Sequence, residues 1–124
     1  MLPKISSAEW EVMNVVWNRH PITAVEVFEK LPPGHGWAQK TVNTFLTRLA
    51  DKGALDVARD GKAYLYTPRV KREACVRAES ATFLNRVFRG AAGPLVLHFA
   101  EQADLTPQEI AELEKLLKAK KGRS

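Results

Sequence analysis

The sequence holds one cysteine, Cys75, so no intrachain disulfide framework can form. No apolar run approaches the roughly 18–20 residues that a membrane helix needs, and the longest, near residues 94–100, is far shorter. The opening Met1-Leu2-Pro3-Lys4-Ile5 does not read as a secretory signal and leads straight into a polar, helix-starting stretch. Together these absences favour a cytoplasmic protein. The arrangements of an enzyme are missing too: there is no Ser/His/Asp constellation, no phosphate-cradling glycine loop and no pair of carboxylates in a loop setting. His20, His35 and His98 show no ligand spacing with Cys75, so neither a metal nor another cofactor is expected. A lone cysteine on a helix reads as a small buried hydrophobe.

What is present is an ordinary globular composition, 45% hydrophobic and 27% charged over 124 residues, enough for one compact unit or two very small ones. The net charge is +5 and unevenly spread: residues 1–36 balance at −1, residues 37–69 at +3 and residues 70–124 at +3. A basic excess suits a polyanionic partner. It begins where the third helix is expected.

Ser6-Ser7-Ala8-Glu9 has the form of a capping box, and Trp10, Met13 and Trp17, widened by Val12 and Val16, mark an apolar stripe behind it. Pro21 ends that helix. Thr23 and Glu26 form a second capping box before Ala24, Val27, Phe28 and Leu31. After the loop of residues 32–36, a third helix is expected over 37–52, stopped by Gly53. Its Val42, Phe45, Leu46 and Leu49 share one side, and Lys40, Thr41, Thr44 and Arg48 another, with Asn43 and Thr47 flanking. Two alternating runs, 55–59 and 62–68, surround Asp60-Gly61, a strong hairpin signal. Three helices followed by a hairpin describe a winged helix-turn-helix. Beyond Pro68, helices are expected over 71–88 and 94–103. A last one follows the Thr106-Pro107-Gln108-Glu109 cap, ending in a basic, frayed tail over 118–124. The fold class is thus mainly α: a winged-helix domain over 1–70 and a helical domain over 71–124.

The major groove of B-DNA admits one helix, read by polar and guanidinium side chains. Lys40, Thr41, Asn43, Thr44, Thr47 and Arg48 supply such groups, and Arg59 and Lys62 sit where a wing would reach the backbone. By itself the polar face could be a solvated surface; the helix-turn-helix entry and the basic hairpin favour double-stranded DNA. A winged helix that binds proteins without DNA specificity stays open as the alternative. Trp10 and Trp17 could be stacking platforms for single strands, but their place on the apolar stripe assigns them to the core. Helices as apolar as those beyond residue 71 could not bury their stripes in so short a segment, which predicts a homodimer. The expected dimer residues are Phe83, Val87, Leu95, Leu97, Phe99, Ile110, Leu113 and Leu117.

Three stretches carry a resemblance: Ser6 through Met13, Lys40-Thr41-Val42-Asn43-Thr44-Phe45-Leu46-Thr47-Arg48-Leu49, and Lys52-Gly53-Ala54-Leu55. With Phe88-Arg89-Gly90, Leu95-Val96-Leu97-His98-Phe99 and the run 104–117, they resemble the penicillinase-repressor family (BlaI/MecI type) over nearly the whole chain. The resemblance implies a homodimeric winged-helix repressor, with its N-terminal part on inverted-repeat operators having TACA/TGTA-like half-sites. It also implies control of genes such as β-lactamases. Lys40, Thr41, Thr44 and Arg48 match the family's DNA-contacting helix, and Arg59 and Lys62 its wing. Antibiotic-responsive members are relieved by a membrane sensor with a metalloprotease domain, or another cellular protease, cutting between an asparagine and a phenylalanine. The corresponding pair here is His98-Phe99, with the asparagine replaced. The paired C-terminal cysteines of the copper-responsive branch are absent. Ala38 stands where serine often caps the recognition helix, and alanine caps less well by about 1 kcal/mol.

Overall fold

The computed structural model describes residues 2–122. The elements run α1 (Ser7–Asn18), α2 (Ala24–Lys30), α3 (Gln39–Asp51), β1 (Leu55–Asp60), β2 (Ala63–Pro68), α4 (Arg72–Phe88), α5 (Ala92–Gln102) and α6 (Pro107–Lys121). They fall into two compact units, Met1–Glu79 and Ser80–Ser124. The first turns of α4 go with the first unit, because Cys75 is buried with that unit's core.

Each helix of the first unit starts and stops for local reasons. Ser6 and Glu9 cap α1 reciprocally, and Thr23 and Glu26 do the same for α2. The end of α3 is a left-handed turn at Gly53, where Gly53 N–H donates to the Ala50 carbonyl (3.1 Å) and Ala54 N–H to the Leu49 carbonyl (2.8 Å). This pairing satisfies carbonyls the helix would leave orphaned and needs a positive φ that glycine adopts without strain.

The core gathers Val12, Met13 and Val16 from α1, Val27 from α2, and Val42, Leu46 and Leu49 from α3, all fully buried. Each such side chain contributes about 1.5–3 kcal/mol of transfer free energy. Leu55 and Tyr66 attach the hairpin to this core. Ile22 then exchanges two backbone hydrogen bonds with Tyr66 (3.1 and 2.8 Å), so the segment before α2 becomes a short third line of the sheet. Trp10 and Trp17 pack at 5.4 Å against one another, half-buried on the core, and the Trp17 indole N–H donates to the Val70 carbonyl at 3.0 Å. They are structural, as their place on the stripe predicts.

Four expectations need correction. α5 starts at Ala92 rather than at residue 94, with Pro94 in its first turn, where its missing N–H costs no helix bond. α3 starts at Gln39 rather than at residue 37. Trp37 is drawn out of the helix, its N–H held by His35 Nδ1 (3.0 Å) and its ring against Phe45 (5.1 Å). The hairpin is shifted by one residue: Asp60 pairs with Ala63, so Gly61 and Lys62 form the turn. Gly61 alone takes a positive φ (64°), the pattern of a II′ turn with glycine first, and Asp60 joins the ladder instead. Finally, the basic tail is not frayed at residue 118. α6 runs to Lys121, since lysines in a last turn complement the helix dipole; residues 123 and 124 lie outside the described residues.

In the second unit Thr106 and Glu109 cap α6, with Pro107 in its first turn. No described residue of this unit is buried. Leu97 is 70% exposed and Leu116 64%.

Candidate nucleic-acid interface

The amphipathicity of α3 decides what it presents. With Val42, Leu46 and Leu49 buried, Lys40, Asn43, Thr44, Thr47 and Arg48 are all exposed, and Thr41 is half-buried at the margin. Two of these side chains are pre-set by the helix. Thr44 Oγ1 donates to the Lys40 carbonyl and Thr47 Oγ1 to the Asn43 carbonyl, each at 3.0 Å. Back-bonding of this kind uses the hydroxyl proton and leaves oxygen lone pairs and a methyl facing outward. The start of α3 has no side-chain cap, as Ala38 predicts; in its first turn the Thr41 N–H is met by the Ala38 carbonyl at 3.0 Å.

The cations of this face are left without an ion-pair partner: among the described residues no carboxylate pairs with Lys40, Arg48, Arg59 or Lys62. Lys52, at the C-cap of α3, is different. Its ammonium donates to Glu9 Oε1 at 2.7 Å and to the Lys4 carbonyl at 2.8 Å. Glu9 is buried, and burial pushes its carboxyl up; hydrogen bonds from Lys52 and Ser6 outweigh that and hold it below the usual range. Lys52 therefore anchors the helix, while Lys40 and Arg48 are left for a ligand.

On the hairpin, Arg59 and Tyr64 are cross-strand partners. The guanidinium lies 5.9 Å from the Tyr64 ring centroid and its Nε–H donates to the Gly61 carbonyl at 3.1 Å. Arg59 is thus held at the tip beside exposed Lys62. Tyr64 was not among the residues expected to matter; its place opposite Arg59 follows once the hairpin register is fixed. Gln39 was missed as well. It links the helix pair by donating from Nε2 to the Ala24 carbonyl (3.1 Å) and to Asn43 Oδ1 (2.9 Å). Its signal in the sequence is the i,i+4 spacing to Asn43.

The expected dimer residues all fall in α4–α6. Phe83, Leu95 and Leu113 are half-buried, and Val87, Leu97, Phe99, Ile110 and Leu117 are exposed. His98 and Phe99 lie in the middle of α5, exposed, with their rings 5.3 Å apart. Cys75 is buried, and burial pushes its thiol up, away from a reactive thiolate. No helix among the described residues is long and apolar enough to cross a membrane.

A family profile described as "Penicillinase repressor" matches residues 5–119. The chain belongs to the penicillinase repressor family. A penicillinase repressor of Bacillus licheniformis is 38% identical over 122 residues, covering 98% of this chain and 95% of that protein. The methicillin resistance regulatory protein MecI of Staphylococcus aureus (strain N315) is also 38% identical, covering 94% of this chain and 95% of its own length. Among solved structures, the monomeric form of Bacillus licheniformis BlaI in complex with the blaP half-operator superposes with a TM-score of 0.51 at 40% identity. That superposition covers 59% of this chain and 89% of the other. Membership of the penicillinase repressor family makes this chain a winged-helix, DNA-binding repressor and not an enzyme.

Proposed function

We propose that this chain is a homodimeric repressor that binds an inverted-repeat operator, laying one α3 into the major groove of each half-site. Residues 1–70 act as its DNA-binding domain and 71–124 as its dimerization domain. The observation that carries the reading is the exposed set Lys40, Asn43, Thr44, Thr47 and Arg48 on α3, its two cations without a carboxylate partner among the described residues, with Arg59 and Lys62 at the tip of the adjoining hairpin. Thr41 contributes at the margin of that face. The half-operator bound by the Bacillus licheniformis relative supports the same partner here. The regulated genes are resistance genes such as β-lactamases, in keeping with the relatives' names.

Dimerization rests on the second unit's exposed apolar side chains. A segment with no buried residue gains little free energy by folding alone and must cover Leu97, Phe99, Ile110 and Leu117 against another surface. Relief of repression follows from losing that cover. A cytoplasmic cut between His98 and Phe99, by a membrane sensor metalloprotease or another protease, severs α6 from the rest of the chain. Because the bond lies inside α5, the helix must unwind locally before a protease can seat it. The replacement of asparagine by His98 favours a second reading, release by a signal other than proteolysis.

Footprinting of the purified protein on its operator tests the main reading. Protection of two inverted half-sites, about one duplex turn (roughly 34 Å) or a multiple apart, is expected. Protection of no discrete sequence contradicts it.

A further inference from the structure

Gln39 and Asn43 carry an inference about which bases α3 reads, resting on the operator-binding reading above. A backbone carbonyl can only accept, so the group of Gln39 that meets the Ala24 carbonyl must be its nitrogen. That same nitrogen also meets the Asn43 amide, and a donor there requires Asn43 to turn its oxygen inward. One acceptor-only atom on α2 thus fixes the order of two side-chain amides that would otherwise flip freely. Asn43 is exposed, and with Oδ1 held by Gln39 its Nδ2, with two hydrogens, is the atom left for a ligand.

This order matters for base readout. An asparagine that recognises adenine uses both atoms, Oδ1 accepting from N6 and Nδ2 donating to N7. Here one lone pair of Oδ1 accepts from Gln39, and that bond holds the oxygen toward Gln39, out of the two-atom arrangement an adenine contact needs. The neighbouring Thr44 and Thr47 hydroxyls have spent their protons on α3 itself, so Asn43 is the exposed neutral donor of this face, with the half-buried Thr41 at its margin. We propose that Gln39 is a positioning residue that makes Asn43 a donor-only reader. Asn43 then selects a base edge rich in acceptors (guanine O6 and N7, or thymine O4) over the amino groups of cytosine and adenine.

The test uses the full-length protein and a randomised duplex pool, followed by single-base-pair variants of the duplex the parent selects. Asn43→Ala is expected to flatten preference at one base pair per half-site, by about tenfold. Gln39→Ala is expected to flatten the same base pair, and the double variant to add nothing further. The dependence of affinity on salt should be unchanged in all three, since no phosphate contact is lost. Gln39→Glu, whose carboxylate accepts from Asn43 Nδ2 and turns Oδ1 outward, should shift preference at that position toward an amino-bearing edge. Gln39→Met, which keeps the side chain's length without its amide, replaces Gln39→Ala if melting shows that variant to be loosened. The proposal is overturned if Gln39→Ala leaves preference at the Asn43 base pair intact, lowers affinity equally on every duplex, or if Asn43→Ala flattens no position. A parent protein that selects no duplex overturns the operator-binding reading itself, and this proposal with it.

Discussion

The ammonium of Lys52 donates to the buried carboxylate of Glu9 at 2.7 Å, tying the end of α3 to the cap of α1 across 43 residues of sequence. The bond holds the exposed helix at a fixed angle to the core, and it takes one lysine of the basic segment out of reach of DNA. Lys52→Met should cost about 1.5–3 kcal/mol, because it leaves a charged acceptor without its donor. Combining it with Glu9→Gln should cost less than the two single changes added together. Denaturant melts of the four proteins measure this; strict additivity would remove the coupling.

Acid should expose the same pair. Glu9 is held below its ordinary value of 4.5, as are the capping carboxylates Glu26 and Glu109, through bonds from Thr23 and Thr106. A carboxylate whose folded value is depressed contributes stability that is complete above the unfolded value and is lost as pH falls through the folded one. Stability should therefore decline below about pH 4.5, and the decline should be shallower in Lys52→Met. A flat profile from pH 6 to 3, followed by thermal melts, would contradict this (about one to two units either side of the ordinary carboxylate range).

At the wing, Tyr64→Leu should weaken DNA binding by about 0.5–1 kcal/mol, the worth of an exposed cation–π contact. Tyr64→Phe should keep parental affinity, and Tyr64→Leu should have no effect once Arg59 is alanine. The loss should be equal across sequences, as befits a backbone contact. Competition band shifts measure it, and a loss confined to one base pair would point to direct reading by Tyr64.

Leu113→Asp with Leu117→Asp should give monomers with poor operator affinity, since each places a charge on the apolar surface that the proposed dimer would cover. Sedimentation measures the state. A dimer of parental stability would take α6 out of the interface.

Incubation with membranes carrying the cognate sensor and its inducer should yield a fragment ending at His98. Restoring the family's asparagine, His98→Asn, should speed the cut. An intact mass for both proteins would leave release by another signal as the mechanism.

Much of this was legible in the sequence because it is local. The three capping boxes need only a hydroxyl and a carboxylate three residues apart, and the exposed face of α3 follows from the spacing of Val42, Leu46 and Leu49. Local rules also set the limit. Asp60-Gly61 is a strong turn signal, yet the ladder recruits Asp60 and moves the turn to Gly61-Lys62. Trp37 extends the helical pattern, but its contacts with His35 and Phe45 hold it outside α3. The Lys52–Glu9 bond joins residues too distant for any window, and it gives Lys52 a role as an anchor that its place at the end of the helical pattern does not signal. Gln39 stood at readable spacing from Asn43, but the amide order depends on the Ala24 carbonyl, which only the packed helix pair supplies.

The central claim is that α3 reads DNA with Lys40 and Arg48, and salt-dependent operator binding tests it most directly. The parent's affinity should fall steeply as salt rises, through release of counterions. Arg48→Ala and Lys40→Ala should each lose about 1–3 kcal/mol of operator affinity while remaining dimeric and folded. Parental affinity in both variants, or binding indifferent to salt, would contradict the claim and favour a winged helix that binds protein instead.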